Sequence, residues 1–134
     1  MISLNQEQKN QLQIIAKKYD IKLFVLFGSQ ATGKTHKTSD ADVAYSSERF
    51  LTLREEAEIM IGLAPILKNN RIDLVNIRTA SPLLLFAITK NGEALYEAKS
   101  LEFSSLCAYA FKRYVEAQPL FQFKYEKLKL ALGI

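Results

Sequence analysis

The chain has 134 residues, 49% of them hydrophobic, a formal net charge of +4 and a pI of about 9.2. That length suits one domain around one core, and the ordinary charged fraction excludes wholesale disorder. The longest apolar run, near Pro82 to Ile88, is far too short to span a bilayer, and MISLNQEQKN lacks the basic stretch and apolar run of a secretory signal.

In chain order, Ser3 followed by Gln6 resembles a capping box. Leu4, Leu12, Ile15 and Tyr19 then recur at helical spacing, which predicts an amphipathic helix over 4–19. IKLFVLF (21–27) is β-branched and aromatic, stops at Gly28, and reads as a buried strand. Residues 28–39 read as a loop, and ADVAY (41–45) as a second strand. Thr52 and Glu55 form a capping box, with Leu53, Ala57, Met60, Ala64 and Leu67 carrying the helical period behind it. RIDLVNI (71–77) is a third strand. Ser81 and Pro82 open a helix that Asn91-Gly92 closes, and ALYEA (94–98) is a short edge strand.

From Leu101 onward the pattern is helical, with one apolar stripe of Phe103, Leu106, Cys107, Ala110, Phe111 and Tyr114. Pro119 is expected to break or kink that helix. Beyond it, Leu120, Phe123 (or Phe121), Leu128 and Ala131 continue a second segment that either covers the domain's own sheet or meets a partner. The expected division is a core over 1–99 and a helical extension over 100–134. Cys107 reads as a small buried hydrophobe. As the only cysteine it forms no internal disulfide, so the cytoplasm is the expected setting. Lysines are dispersed and interleaved with acids, so a mildly basic solvated surface is expected, with no direct nucleic-acid binding.

FGSQATGKTHKTSDAD (27–42) spells two motifs at once. Gly28 to Thr35 matches the phosphate-binding loop G-x-x-x-x-G-K-T. Such a loop needs a helix starting at its Lys-Thr, but HKTSDADVAY re-enters a strand within a few residues. Gly28 to Asp42 also spells G-S, ten residues, then D-x-D. Gly28 ends a buried strand without a side chain, so a phosphate can approach the backbone. Ser29 adds a hydroxyl suited to phosphate oxygens. Asp40 and Asp42 are two apart at a strand start, so both carboxylates face one way. Two like charges held together call for a cation, and Mg²⁺ takes carboxylate oxygens with substrate phosphates. Two such ions, about 3.5–4 Å apart, clamp an in-line phosphoryl displacement. Asp73, an acid in an otherwise apolar strand, is the third candidate ligand; its plainer reading is an outward-facing strand residue. Glu48, Glu55, Glu56 and Glu58 read as surface charges, and His36 as a solvent-facing loop residue.

The stretch from Phe24 to Tyr45 resembles the minimal nucleotidyltransferases of the DNA polymerase β-like superfamily. With IDLVNI, SPLLLFAITKNGEALYE and the helical tail, most of the chain is similar to the MntA-like adenylyltransferase antitoxins of HEPN/MNT toxin–antitoxin pairs. The resemblance implies an α/β (α+β) minimal nucleotidyltransferase fold, a small mixed β-sheet flanked by helices with a helical C-terminal segment. It also implies that Gly28 and Ser29 hold the triphosphate of ATP and that Asp40 and Asp42 bind both Mg²⁺ ions. Asp73 helps bind one ion and accepts the proton of the attacking hydroxyl. The implied reaction transfers AMP to a tyrosine of a HEPN RNase toxin. Family members often carry G-S-R-x-R-G, whereas here Gln30 and Thr32 stand at the arginine positions; Lys34 and Lys37 are the available cations, as point charges without arginine's fork. Two other functions fit the same residues: adenylylation of a small molecule, as by aminoglycoside nucleotidyltransferases, and neutralisation of a toxin by contact alone.

Overall fold

The computed structural model describes residues 2–28 and 40–133. In chain order these form α1 (Gln6–Lys18), β1 (Ile21–Phe27), β2 (Ala41–Ser47), α2 (Leu53–Leu67), β3 (Ile72–Asn76), a 3-10 turn (Ile77–Thr79), α3 (Pro82–Lys90), β4 (Glu93–Glu97) and α4 (Glu102–Leu132). The four strands make one mixed sheet in the order β3-β2-β1-β4. β1 runs antiparallel to both β2 and β4, and β2 runs parallel to β3. The mixed sheet flanked by helices is the fold expected from the sequence.

β1 is central, and both its faces are covered, which is why its sequence reads as a continuous apolar run rather than an alternating one. Phe24 and Leu26 pack with Leu12 and Ala16 of α1 and Ile59, Leu63 and Ile66 of α2. Leu23, Val25 and Phe27 face the other way, against Leu85 and Ile88 of α3 and Ala110 of α4. Each large side chain buried this fully contributes about 1.5–3 kcal/mol.

Several local expectations change in the folded chain. The first helix is capped by Asn5 with Gln8, not by Ser3 with Gln6. Asn5 wins because its side-chain oxygen accepts from the Gln8 backbone N–H while the Gln8 side chain accepts from the Asn5 N–H, satisfying two donors at the helix start. The second capping box, Thr52 with Glu55, forms as expected. Behind it the buried stripe is Ile59, Leu63, Ile66 and Leu67, while Leu53 is exposed and Ala57, Met60 and Ala64 are half-buried. Two apolar stripes lie about 100° apart on this helix, and the packing against α1 selects one. Ser81 caps α3 with Pro82 in its first turn. Gly92 then allows the close return into β4, because a Cβ there would meet the Ile88 carbonyl and stand 2.7 Å from Val25 Cγ1.

α4 runs unbroken from Glu102 to Leu132 through Pro119, so the expected helix break does not occur. A proline in a helix interior costs about 3 kcal/mol. Here it lies on an exposed stretch, where the carbonyl it leaves unpaired reaches water. Phe103, Leu106 and Ala110 pack on the sheet and α3, and Tyr114 stacks on Phe86 with ring centroids 4.1 Å apart. Phe111, assigned to the same stripe from sequence, is exposed, and Cys107 is half-buried rather than buried. Ala110 is the one fully buried residue of the helix. No helix among the described residues is long and apolar enough to cross a membrane.

Candidate active site

β2 begins at Ala41, so Asp40 lies just before the strand and Asp42 just inside it. In the parallel pairing Asp42 stands opposite Asp73, and Ala44 opposite Val75. Ala44 and Val75 both belong to the core on the α3/α4 side. The strand alternation therefore directs Asp42 and Asp73 to that same face, at the end of the sheet where β2 and β3 begin. On its other side Asp42 is registered with Phe27, which leads directly into Gly28.

Gly28 has φ +74, in the left-handed region, and a Cβ built there would collide with the Asp42 carboxylate. Glycine is favoured there by its backbone conformation and by the acid that lies against it. Asp42 is half-buried, whereas Asp40 and Asp73 are exposed. Burial, then the charges of Asp73 and Asp40, push the Asp42 carboxyl above its ordinary range. Asp73 and Asp40 thus lie close enough to Asp42 for their charges to act on its carboxyl. Ser29 and Lys34, the other nucleotide-binding candidates, lie outside the described residues, as do Gln30, Thr32, His36 and Lys37.

As the side chains stand, no three acids, histidines or cysteines among the described residues close around a common metal position. The donor set nonetheless fits a hard divalent cation by its chemistry. It offers carboxylate oxygens only, and the elevated Asp42 carboxyl marks a concentration of negative charge that a cation relieves.

The polymerase beta nucleotidyltransferase family profile matches residues 10–101, well over half of the chain. The chain belongs to this nucleotidyltransferase family. Among curated relatives, the protein adenylyltransferase MntA of Aphanizomenon flos-aquae is 32% identical over 101 residues, covering 69% of this nucleotidyltransferase and 67% of that protein. The MntA of Shewanella oneidensis is 33% identical over 76 residues, 57% of this chain and 54% of its own, so the match spans about half of that relative. In three dimensions the nucleotidyltransferase superposes on a toxin–antitoxin crystal structure with AMP-PNP at a TM-score of 0.74, with 24% identity and coverage of 90% of this chain and 97% of the other. It also superposes on the complex of a tri-AMPylated Shewanella oneidensis HEPN toxin with its MNT antitoxin, at a TM-score of 0.68 with 22% identity, covering 92% and 97%. These superpositions establish the fold.

One feature beside the acids had no clear signal in the sequence. A cleft opens from Gly28 toward α3, where Leu83 and Ala87 are exposed and Phe86 is half-buried. SPLLLFAITKNG reads as a simple core helix; only its excess of apolar positions over one buried face hinted that some serve another purpose.

Proposed function

We propose that this chain is an antitoxin that transfers AMP from ATP to a HEPN-type RNase toxin and so neutralises it. The observation that carries this reading is the register of Asp42 against Asp73 beside the Gly28 turn, in a nucleotidyltransferase whose relatives are protein adenylyltransferases. The complex of an AMPylated HEPN toxin with an MNT antitoxin supports the choice of acceptor protein.

In this reading Gly28 and Ser29 receive the triphosphate, with Lys34 adding a cation, while Asp40, Asp42 and Asp73 hold two Mg²⁺ ions. When bound, the ions supply the positive charge that lets phosphates approach three carboxylates. A tyrosine hydroxyl of the toxin forms a bond to the α-phosphorus. The bond to the α,β-bridging oxygen breaks, and pyrophosphate leaves. The hydroxyl proton passes to a carboxylate oxygen of Asp73, acting as general base. The product is a phosphodiester-linked AMP on the tyrosine.

We assign the chemistry to residues 1–99 and partner docking to the extension, 100–134. Support for the second assignment comes from the distal half of α4, where Phe123, Tyr125, Leu128 and Leu132 are exposed. The need for ATP supports action in the cytoplasm. The test is transfer of labelled AMP from ATP to the cognate toxin, comparing the wild type with Asp42→Asn. Transfer by the wild type and none by the variant is expected. A toxin silenced equally by both proteins, without label, would mean that contact alone neutralises.

A further inference from the structure

Another pocket, of about 300 Å³, lies at the opposite end of the sheet from the acids. Lys22 stands near the start of β1 and Ser46 near the end of β2, whereas Phe27 and Asp42 occupy the other ends of those strands. At roughly 3.3 Å per residue, Lys22 is about 20 Å from Gly28 along β1. Three cations line this pocket: Lys22, Arg78 just past β3, and Arg113 of α4, with the hydroxyl-bearing Ser46 and Tyr109 beside them. No acid among the described residues lines it. Arg49, Arg54 and Lys112 each meet a carboxylate, but Lys22, Arg78 and Arg113 meet none among the described residues.

Like charges gathered without a counter-charge repel one another, and a cleft lined by one sign focuses its field on an ion of the other. Both guanidinium groups already rest against rings, Arg78 at 5.0 Å from the Phe50 centroid and Arg113 at 6.0 Å from that of Tyr109. Stacking leaves their N–H edges available and lowers the ordering cost of binding. α3 starts at the same pocket with Pro82, so the positive end of its dipole adds to the field. A carboxylate brings one charge and two oxygens. A phosphate monoester brings about −1.5 to −2 charges and three acceptor oxygens, which suits three cations and two hydroxyls. The volume exceeds what a bare phosphate fills, and Ile77 and Leu85 supply apolar wall for an organic group. A nucleic-acid strand would need a basic track running on beyond the pocket, whereas the chain's lysines are interleaved with acids.

We propose that this pocket binds a small organic phosphate monoester, with Lys22, Arg78 and Arg113 on the phosphate oxygens. Its residues are separate from those at Gly28 and Asp42, so the site stands whether or not the chain transfers AMP.

The test titrates the full, isotope-labelled chain with glycerol phosphate, acetate or single-stranded RNA, without Mg²⁺ and at constant ionic strength, and follows amide shifts by NMR. Saturable shifts with glycerol phosphate are expected at Lys22, Ser46, Arg78 and Arg113, with acetate at least about tenfold weaker. Arg78 and Arg113 are exposed, so Arg78→Gln and Arg113→Gln should each weaken glycerol phosphate about tenfold with the melting temperature unchanged. Lys112→Gln removes an equal charge one residue away, from a side chain that pairs with Glu116, and should leave binding intact. Absence of saturable shifts overturns the proposal. So does an equal loss in Lys112→Gln, or acetate binding as tightly, since either would mean diffuse charge attraction. Shifts confined to Gly28 and Asp42 overturn it by placing the phosphate at the acids. RNA that saturates the same amides more tightly than glycerol phosphate overturns it in favour of a nucleic-acid surface.

Discussion

Asp42 of β2 and Asp73 of β3 stand directly opposite each other on parallel strands, with Gly28 pressed against the first of them. The carboxyl of Asp42 is raised above its model-peptide value of 3.8 by burial and by both acidic neighbours. Folding therefore favours its protonated form. Its ionisation lowers stability as pH rises from about 3.8 through the elevated folded-state value, and the penalty is complete above that value. Asp42→Asn should melt higher than the wild type at pH 7 without Mg²⁺, and the gap should close toward pH 3. The same variant should lose AMP transfer, and Mg²⁺ should raise the melting temperature of the wild type only. Thermal melts with and without the ion check all three; a variant that melts lower at pH 7 contradicts the electrostatic account.

Gly28→Ala tests the turn. An alanine at φ +74 is strained by about 1–3 kcal/mol, and its methyl group must push the Asp42 carboxylate aside. A modest loss of stability with a disproportionate loss of AMP transfer is expected. Urea unfolding measured alongside turnover separates the two effects, and parallel losses would reduce Gly28 to a structural role.

Lys34→Ala addresses the overlapping motif. If Lys34 acts as the single point charge proposed for the phosphates, its loss should weaken ATP about tenfold, roughly 1.4 kcal/mol. In a phosphate-binding loop of the G-K-T type its loss would be as severe as losing an acid. ATP titration of Lys34→Ala beside Asp42→Asn decides between them: equal damage favours the G-K-T loop.

Truncation after Gln118 separates folding from docking. Beyond that point α4 contributes no fully buried side chain among the described residues. The line of its Tyr114 face, at about 100° per residue, continues through Phe121, Tyr125, Leu128 and Leu132, the last three exposed. The shortened chain should keep its melting temperature within a few degrees and still bind ATP, but capture its toxin poorly. Given time and ATP it should still silence the toxin, because a transferred AMP outlasts the encounter. A toxin that recovers fully once the antitoxin is removed would contradict that permanence.

Much of this protein is carried by local patterns. The apolar run 21–27, the capping box at Thr52 and Glu55, and Ser81-Pro82 at a helix start act over a few residues, so the sequence alone determined those elements. The same holds for Asp40 and Asp42, whose common face follows from the two-residue period of a strand. Asp73 could only be nominated, because partnership with Asp42 is a matter of strand order and register, and these depend on which apolar faces close together in space. Competing local signals were resolved in the same way. Packing against α1 selected Ile59, Leu63 and Ile66 over the neighbouring stripe of α2. Exposure let α4 pass through Pro119, because water could take the carbonyl that a buried helix would have left unpaired. The cleft at Gly28 belongs wholly to the tertiary structure: the end of β1 and α3 are distant in the chain, and only the packing of Leu85 and Ile88 beneath the sheet brings Phe86 and Asn91 into one cleft with Gly28.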